Sequence, residues 1–261
     1  MKRLIALLTA FCLLGSPALA SGLTALNGGG TGGAFASTSV STAVASITSG
    51  ATTVDIPVGS LGVIFVGWRA GAGVSITSCS DTAGNTWSSG AVSNSQSNAT
   101  TRIYYTVSTI DMPIGTTFTC NLSSASSSIK AVEVMAFSGP AASPFDANAN
   151  ASGSSTGAIT VGPVPSAGTL ACNGTSDEVV VSVVSMLNGA APTNLGSFTS
   201  LGYISDMFAA YQIVNSNVAV SFTPTLTGSS GNWSAQIQGF KASTCPASAA
   251  NHTLLLMGVG Q

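Results

Sequence analysis

From about Val40 onward the chain is built of short runs rich in Val, Ile, Thr, Tyr and Phe. Clusters of Gly, Ser, Asn and Pro interrupt them about every ten residues. Apolar and polar residues alternate within several runs, the period of a strand with one covered face. No window of a dozen residues keeps an apolar stripe at helical spacing unbroken. Short strands at this spacing predict an all-β fold, an antiparallel jelly-roll-like β-sandwich of about 12 strands.

The runs also recur in order. The first half reads TTVDIPV from Thr52, GVIFVGW from Gly62, RIYYTVS from Arg102, TTFTCNL from Thr116 and KAVEVMAFSG from Lys130. The second reads AITVGPV from Ala158, EVVVSVV from Glu178, FAAYQIV from Phe208, AVSFTPTL from Ala219 and WSAQIQGFKA from Trp233. The matching order predicts two similar halves, 52–139 and 158–242, within one sandwich spanning 40–245. Residues 140–156 then form the link between them.

Aligning the halves sorts the faces. Tyr105 corresponds to Tyr211, and Ile103 and Val107 to Ala209 and Ile213, all read as core. On the closing strands Val132 and Val134 correspond to Ala235 and Ile237, which leaves Glu133 equivalent to Gln236 on the opposite face. Glu133 lies among Ala131, Met135 and Phe137, a setting that raises a carboxyl pKa if it is buried. An ion pair with Lys130, Arg69 or Arg102 is the expectation for it.

The ends of the chain carry different signals. Lys2 and Arg3 precede an apolar run from Leu4 to Leu14, and Ala18-Leu19-Ala20 completes a signal peptide over residues 1–20. The run is too short to span a bilayer, so no membrane span is expected in the mature chain, which is secreted: extracellular, at the cell surface or periplasmic. Residues 21–39, with Asn27-Gly28-Gly29-Gly30, read as a flexible leader rich in Gly, Ala and Thr. Residues 246–261, ending NHTLLLMGVGQ, read as a tail that covers its own fold or adds to a neighbour's sheet edge.

After cleavage four cysteines remain, Cys79, Cys120, Cys172 and Cys245, an even number that favours two disulfides in an exported chain. Three connectivities are open. Strand order favours Cys79 with Cys120 and Cys172 with Cys245, because the start of one antiparallel strand lies beside the end of its neighbour. No C-x-x-C pair occurs and the sole histidine is His252, so no zinc site is expected. No cofactor is expected either.

Charge narrows the classes further. Only 5% of residues are charged, and the mature chain keeps four basic side chains, Arg69, Arg102, Lys130 and Lys241. Nucleic-acid binding, which needs clustered cations at phosphates, finds no support. A neutral hydroxyl-rich surface has little electrostatic defence against self-association, which makes copies of the same chain a candidate partner. Six N-x-S/T sequons, at Asn98, Asn121, Asn150, Asn173, Asn232 and Asn251, are what this much Ser and Thr yields largely by chance.

The run Cys79-Ser80-Asp81-Thr82-Ala83-Gly84-Asn85-Thr86-Trp87 predicts a tight turn, opened by Asp81, with Gly84 at positive φ and Trp87 returning to the sheet. Asp81 and Asn85 alone are too few ligands for calcium. This D-x-x-G-N-x-W pattern, the tyrosine-bearing strand after it and the V-E-V-x-x-F-S-G strand resemble uncharacterised β-sandwich modules of bacterial extracellular proteins, of the lectin or carbohydrate-binding jelly-roll kind. The resemblance covers roughly 54–241. It implies the fold and no site residue.

Glycans are the other candidate partner, with Trp87, Tyr104, Trp233 and Gln236 as the ligand-binding candidates. A catalytic alternative, a polysaccharide lyase or glycoside hydrolase, rests on Glu133, Arg102 and Tyr104, with Gln236 and Gln238 completing a possible cluster. No histidine lies within the repeats to serve as the base of a nucleophilic serine. The sequence thus points to a secreted noncatalytic module, surface-structural and adhesive or glycan-binding.

Overall fold

The computed structural model describes residues 23–26, 36–69, 74–90, 95–96, 99–126, 130–154, 157–164, 178–187, 189–214, 219–228 and 231–243. They form an all-β, antiparallel structure. The first half contributes β1 (Thr24–Ala25), β2 (Ala36–Val40), β3 (Val44–Thr48), β4 (Leu61–Arg69), β5 (Ile76–Asp81), β6 (Ser88–Ser89), β7 (Ser95–Gln96), β8 (Ala99–Val107), β9 (Phe118–Ser126) and β10 (Lys130–Ser138). The second contributes β11 (Pro140–Gly153), β12 (Gly157–Ala158), β13 (Val161–Val164), β14 (Glu178–Met186), β15 (Gly189–Thr193), β16 (Thr199–Ile204), β17 (Met207–Val214), β18 (Val220–Phe222), β19 (Thr225–Gly228) and β20 (Trp233–Ala242).

The strands stack in four layers. The outer layer of the first half is β3-β9-β5, and its inner sheet runs β1-β10-β4-β8-β6, with β2 also on β10 and β7 on β8. The inner sheet of the second half runs β11-β20-β14-β17-β16, covered by β12-β19-β15 and β13-β18. The two inner sheets pack on each other. Val63, Phe65, Ile103 and Phe137 from the first meet Val181, Val183, Ala209, Tyr211 and Phe240 from the second in one buried cluster.

This burial explains the sequence. β4 and β14 are covered on both faces, so they read LGVIFVGWR and EVVVSVVSM, continuous apolar runs without alternation. Outer strands keep one wet face: β3 alternates, and β5 buries Ile76 and Cys79 on either side of a register shift. Each large side chain buried at the seam contributes about 1.5–3 kcal/mol. Gly67 admits close approach here: a Cβ at this position would stand 2.8 Å from the Met207 side chain.

The same pairing rows recur in both halves. Glu133 pairs with Phe65 and Phe65 with Ile103; Gln236 pairs with Val183 and Val183 with Ala209. One step along, Met135–Val63–Tyr105 matches Gln238–Val181–Tyr211. Glu133/Gln236 and Tyr105/Tyr211 therefore occupy equivalent points of the two ladders.

Several expectations need correcting. The strand count is higher than about 12, because edge strands are short and β12/β13 and β18/β19 split single runs. Residues read as a flexible leader instead supply β1 and β2, which pair along β10. The link after Pro140 is also a strand: β11 pairs along β20 with a bulge near Phe145. Its inward positions are Ala147, Ala149 and Ala151, packed against the second-half core. Conversely, TTVDIPV is no strand. Only Ile56 makes a bridge, to Met112, and the chain turns at Pro57–Ser60.

Cys79 and Cys120 are bridged, joining neighbouring strands β5 and β9 at directly paired positions, as strand order favoured. The segment 1–20 read as a signal peptide, Cys172, Cys245, His252 and residues 246–261 lie outside the described residues, as do the sequons at Asn98, Asn173 and Asn251.

Candidate functional site

The inner sheet of the first half separates the catalytic candidates. Successive residues of a strand point to opposite faces, and Arg102 and Tyr104 face the outer layer. One guanidinium nitrogen of Arg102 donates to the Ile76 carbonyl and the other to Ser89 Oγ at 2.8 Å, with the group 5.0 Å above the Tyr104 ring. Tyr104 is buried, and its hydroxyl donates to the same Ile76 carbonyl at 3.4 Å. Glu133 points the other way, into the seam. Gln236 and Gln238 face the seam from the second half, so the sheet itself lies between them and Arg102.

Glu133 does not form the expected ion pair. Arg69 bonds Asp206 at 2.9 Å, Arg102 is engaged as above, and Lys130 Nζ donates to the Thr42 carbonyl at 3.3 Å. Burial pushes the Glu133 carboxyl up to about 8; its Oε2 has no hydrogen-bond partner. A Cβ on Gly202, across the seam, would stand 3.0 Å from Oε1. At neutral pH the group is a protonated, sealed acid, a poor candidate for acid–base work on a polymer outside.

The ligand candidates are likewise occupied by the fold. Gln236 is fully buried and its Oε1 accepts from the Ile103 backbone N–H at 2.8 Å, tying the two inner sheets. Trp233 is 7% exposed and lies against Gly153, where a Cβ would stand 2.9 Å from the indole. Trp87 is half-buried, packs edge-on against Phe118 and donates its indole N–H to Asp81 Oδ2 at 2.6 Å. The other oxygen of Asp81 accepts from Gly84 N–H at 2.7 Å, and Gly84 sits at φ +97°, as the turn reading expected. Tyr104, Trp233 and Gln236 are thus buried, and Trp87 is held half-buried in its turn.

Asn85, in the same turn, leads to the feature the sequence reading missed. Its Oδ1 accepts from Thr109 and Ile110 N–H at 2.9 and 3.0 Å, and its Nδ2 donates to the Ile110 carbonyl at 3.1 Å. It thereby clamps the start of T-I-D-M-P-I-G-T (Thr109–Thr116), which shares its Thr, Asp, Pro and Gly with T-V-D-I-P-V-G-S (Thr53–Ser60) and differs conservatively between them. The two segments form a reciprocal pair. Ile56 and Met112 exchange backbone hydrogen bonds of 2.9 and 3.0 Å. Val58 N–H donates to Asp111 Oδ1 and Ile114 N–H to Asp55 Oδ1, both at 2.7 Å.

Each segment closes in a four-residue turn, Ser60 N–H to the Pro57 carbonyl and Thr116 N–H to the Pro113 carbonyl. Gly59 and Gly115 take φ +83° and +98° at the third position, where side chains are disfavoured. The side chain before each glycine is forced outward. Val58 is 56% exposed and Ile114 63%; with Ile110 at 47% they are the exposed large hydrophobics among the described residues. A hollow of about 340 Å³ lies between the turns, lined by Asp55, Ile56, Pro57, Asp111, Met112 and Pro113.

A second groove of about 300 Å³ lies nearby, between the end of β8 and the bulged start of β11. Tyr105 and Phe145 stack there at 5.6 Å, beside Thr86, Ser88 and Ser143. The twin turns were detectable in the sequence as a D-x-P-x-G motif occurring twice, each time preceded by Thr and a β-branched residue. The groove was not, because it joins segments from both halves. No protein-family model matches the chain, and no match was found among curated proteins or among solved structures.

Proposed function

We propose that the chain is an exported, noncatalytic module that works by contact, as a surface-structural or adhesive protein, with the twin-turn end as its contact surface. The observation that carries this reading is the outward placement of Val58, Ile110 and Ile114 on a hydrogen-bonded frame. Apolar side chains grouped at one tip are a feature of interaction sites rather than of ordinary surface. The frame is pre-organised, so little ordering entropy is lost on contact. The Cys79–Cys120 bridge supports an oxidising, exported setting.

The test is adsorption of the mature protein to alkyl-terminated and hydroxyl-terminated surfaces in parallel. The proposal expects selective binding to the alkyl surface, reduced at least tenfold by V58S/I110S/I114S. Equal binding of both proteins would sink it. Glycan binding is the second reading, favoured by the Tyr105–Phe145 groove and its hydroxyls. It predicts retention on at least one neutral polysaccharide column that Ser143→Trp, which fills the groove, abolishes.

A further inference from the structure

Asp146, Lys241 and Glu178 stand together on three adjacent strands, β11, β20 and β14. We propose that this trio is a modification site, where Lys241 Nζ and the Asp146 carboxyl condense to an intramolecular amide and Glu178 relays the proton. The bond ties the first strand of the second half to its last. It is separate from the contact surface at the twin turns, which shares none of these residues.

The register of the sheet gathers the three side chains. Lys241 and Glu178 are directly paired across β20 and β14, so both leave the same face. On β11, Phe145 pairs with Phe240 and Ala147 with Gly239, which makes Asp146 the extra residue of a bulge. Bulges re-aim a side chain, and here Asp146 Oδ1 forms an ion pair with Lys241 Nζ. Gly239 lies two residues before Lys241, on the same face. A Cβ there would collide with Glu178 Oε1 and stand 4.0 Å from Asp146 Cβ, so its absence makes room for both carboxyl groups. Glu178 is fully buried, whereas the Asp146 and Lys241 side chains are 15% and 38% exposed. The relay is thus sealed inside, and the reacting pair has an open side through which water can leave.

The reaction balances within the trio. Glu178 takes a proton from the Lys241 ammonium and passes one to the Asp146 carboxylate, which leaves a neutral amine beside a neutral acid. Nζ then attacks Cγ; a C–N bond forms, a C–O bond breaks, and the hydroxyl leaves with the amine proton as water. Ammonium and carboxylate become amide and water, with nothing oxidised or reduced and no co-reactant. Water opposes such a condensation between free molecules, but well-oriented groups held in contact reach effective molarities of about 10⁵–10⁸ M. The ion pair of Arg69 with Asp206 has no such outcome, because a guanidinium keeps its proton and is no nucleophile.

The test is the intact mass of the purified mature protein after disulfide reduction, together with mass-spectrometric mapping of its chymotryptic peptides. A chain lighter than its sequence by one water, about 18 Da, is expected, with a branched peptide joining Asp146 to Lys241. Lys241→Arg keeps the ion pair and should restore the full sequence mass. Glu178→Gln, its fold checked by circular dichroism, should form the branched peptide roughly a hundredfold more slowly. A folded native chain at full sequence mass would overturn the bond. So would a loss of water that survives Lys241→Arg, which marks cyclisation of an aspartate on its own backbone. A branched peptide that forms equally fast in folded Glu178→Gln overturns the relay assigned to Glu178.

Discussion

The two halves share their inner sheets and differ in what surrounds them. Strands β10-β4-β8 and β20-β14-β17 run in the same order with equivalent rows. The outer layer of the first half is one three-stranded sheet stapled by Cys79–Cys120, whereas that of the second is divided between two small sheets. Among the described residues the twin turns occur in the first half. Sheets that must bury both faces tolerate little change, because each position has neighbours above and below. Loops and outer edges carry fewer such constraints, and the proposed contact end lies there.

The staple offers the strongest way to break this comparison. The double variant C79S/C120S, which opens a 41-residue separation, should lose about 4 kcal/mol in denaturant unfolding. The loss should appear first in the fluorescence of Trp68 and Trp87, on the first half, and later in that of Trp233. Simultaneous, unshifted transitions would show that the outer layer is not anchored by the bridge.

Next in size is an exchange at equivalent points of the seam. Glu133 holds its proton in the fold up to about pH 8, whereas the unfolded chain releases it near 4.5. Stability is therefore fullest below 4.5, falls as pH rises between these values by at most about 1.4 kcal/mol per unit, and levels above 8. Glu133→Gln should remove this slope and raise the melting temperature at pH 8. Gln236→Glu should add a second slope of the same sign, costing roughly 2–4 kcal/mol at pH 8 and recovering at pH 4. A flat profile for the native chain would contradict the buried, unpaired carboxyl.

Smaller effects fall in the turns. Asp81→Ala removes the acceptor of the Trp87 indole and the Gly84 amide and should cost about 2 kcal/mol, read by thermal unfolding. Ile114→Ser should change stability by no more than about 0.5 kcal/mol, since the side chain is mostly in water. Its effect belongs to adsorption, and a large stability loss would recast Ile114 as a packing residue.

Much of the fold was legible in the sequence because burial on both faces writes long apolar runs at β4 and β14. The equivalence of Glu133 and Gln236 could be read because the closing strands keep their spacing. β11 was hidden by alanine, too small to signal alternation although Ala147, Ala149 and Ala151 do alternate with polar residues. β1 and β2 were hidden by a glycine-rich setting that dominates local composition. Trp87, Trp233 and Tyr104 were misleading for a physical reason: large aromatics fill cores more often than they greet ligands. The twin-turn end was obscured because TTVDIPV looks like a strand until its pairing with the second D-x-P-x-G segment is seen.

Carbene footprinting of the mature protein, free and adsorbed on alkyl-coated particles, tests the contact end most directly. Val58, Ile110 and Ile114 should become protected on adsorption while the β16 edge, Thr199–Ile204, stays labelled. Protection centred on the Tyr105–Phe145 groove or on the outer sheets of the second half, with the twin turns still labelled, would contradict it.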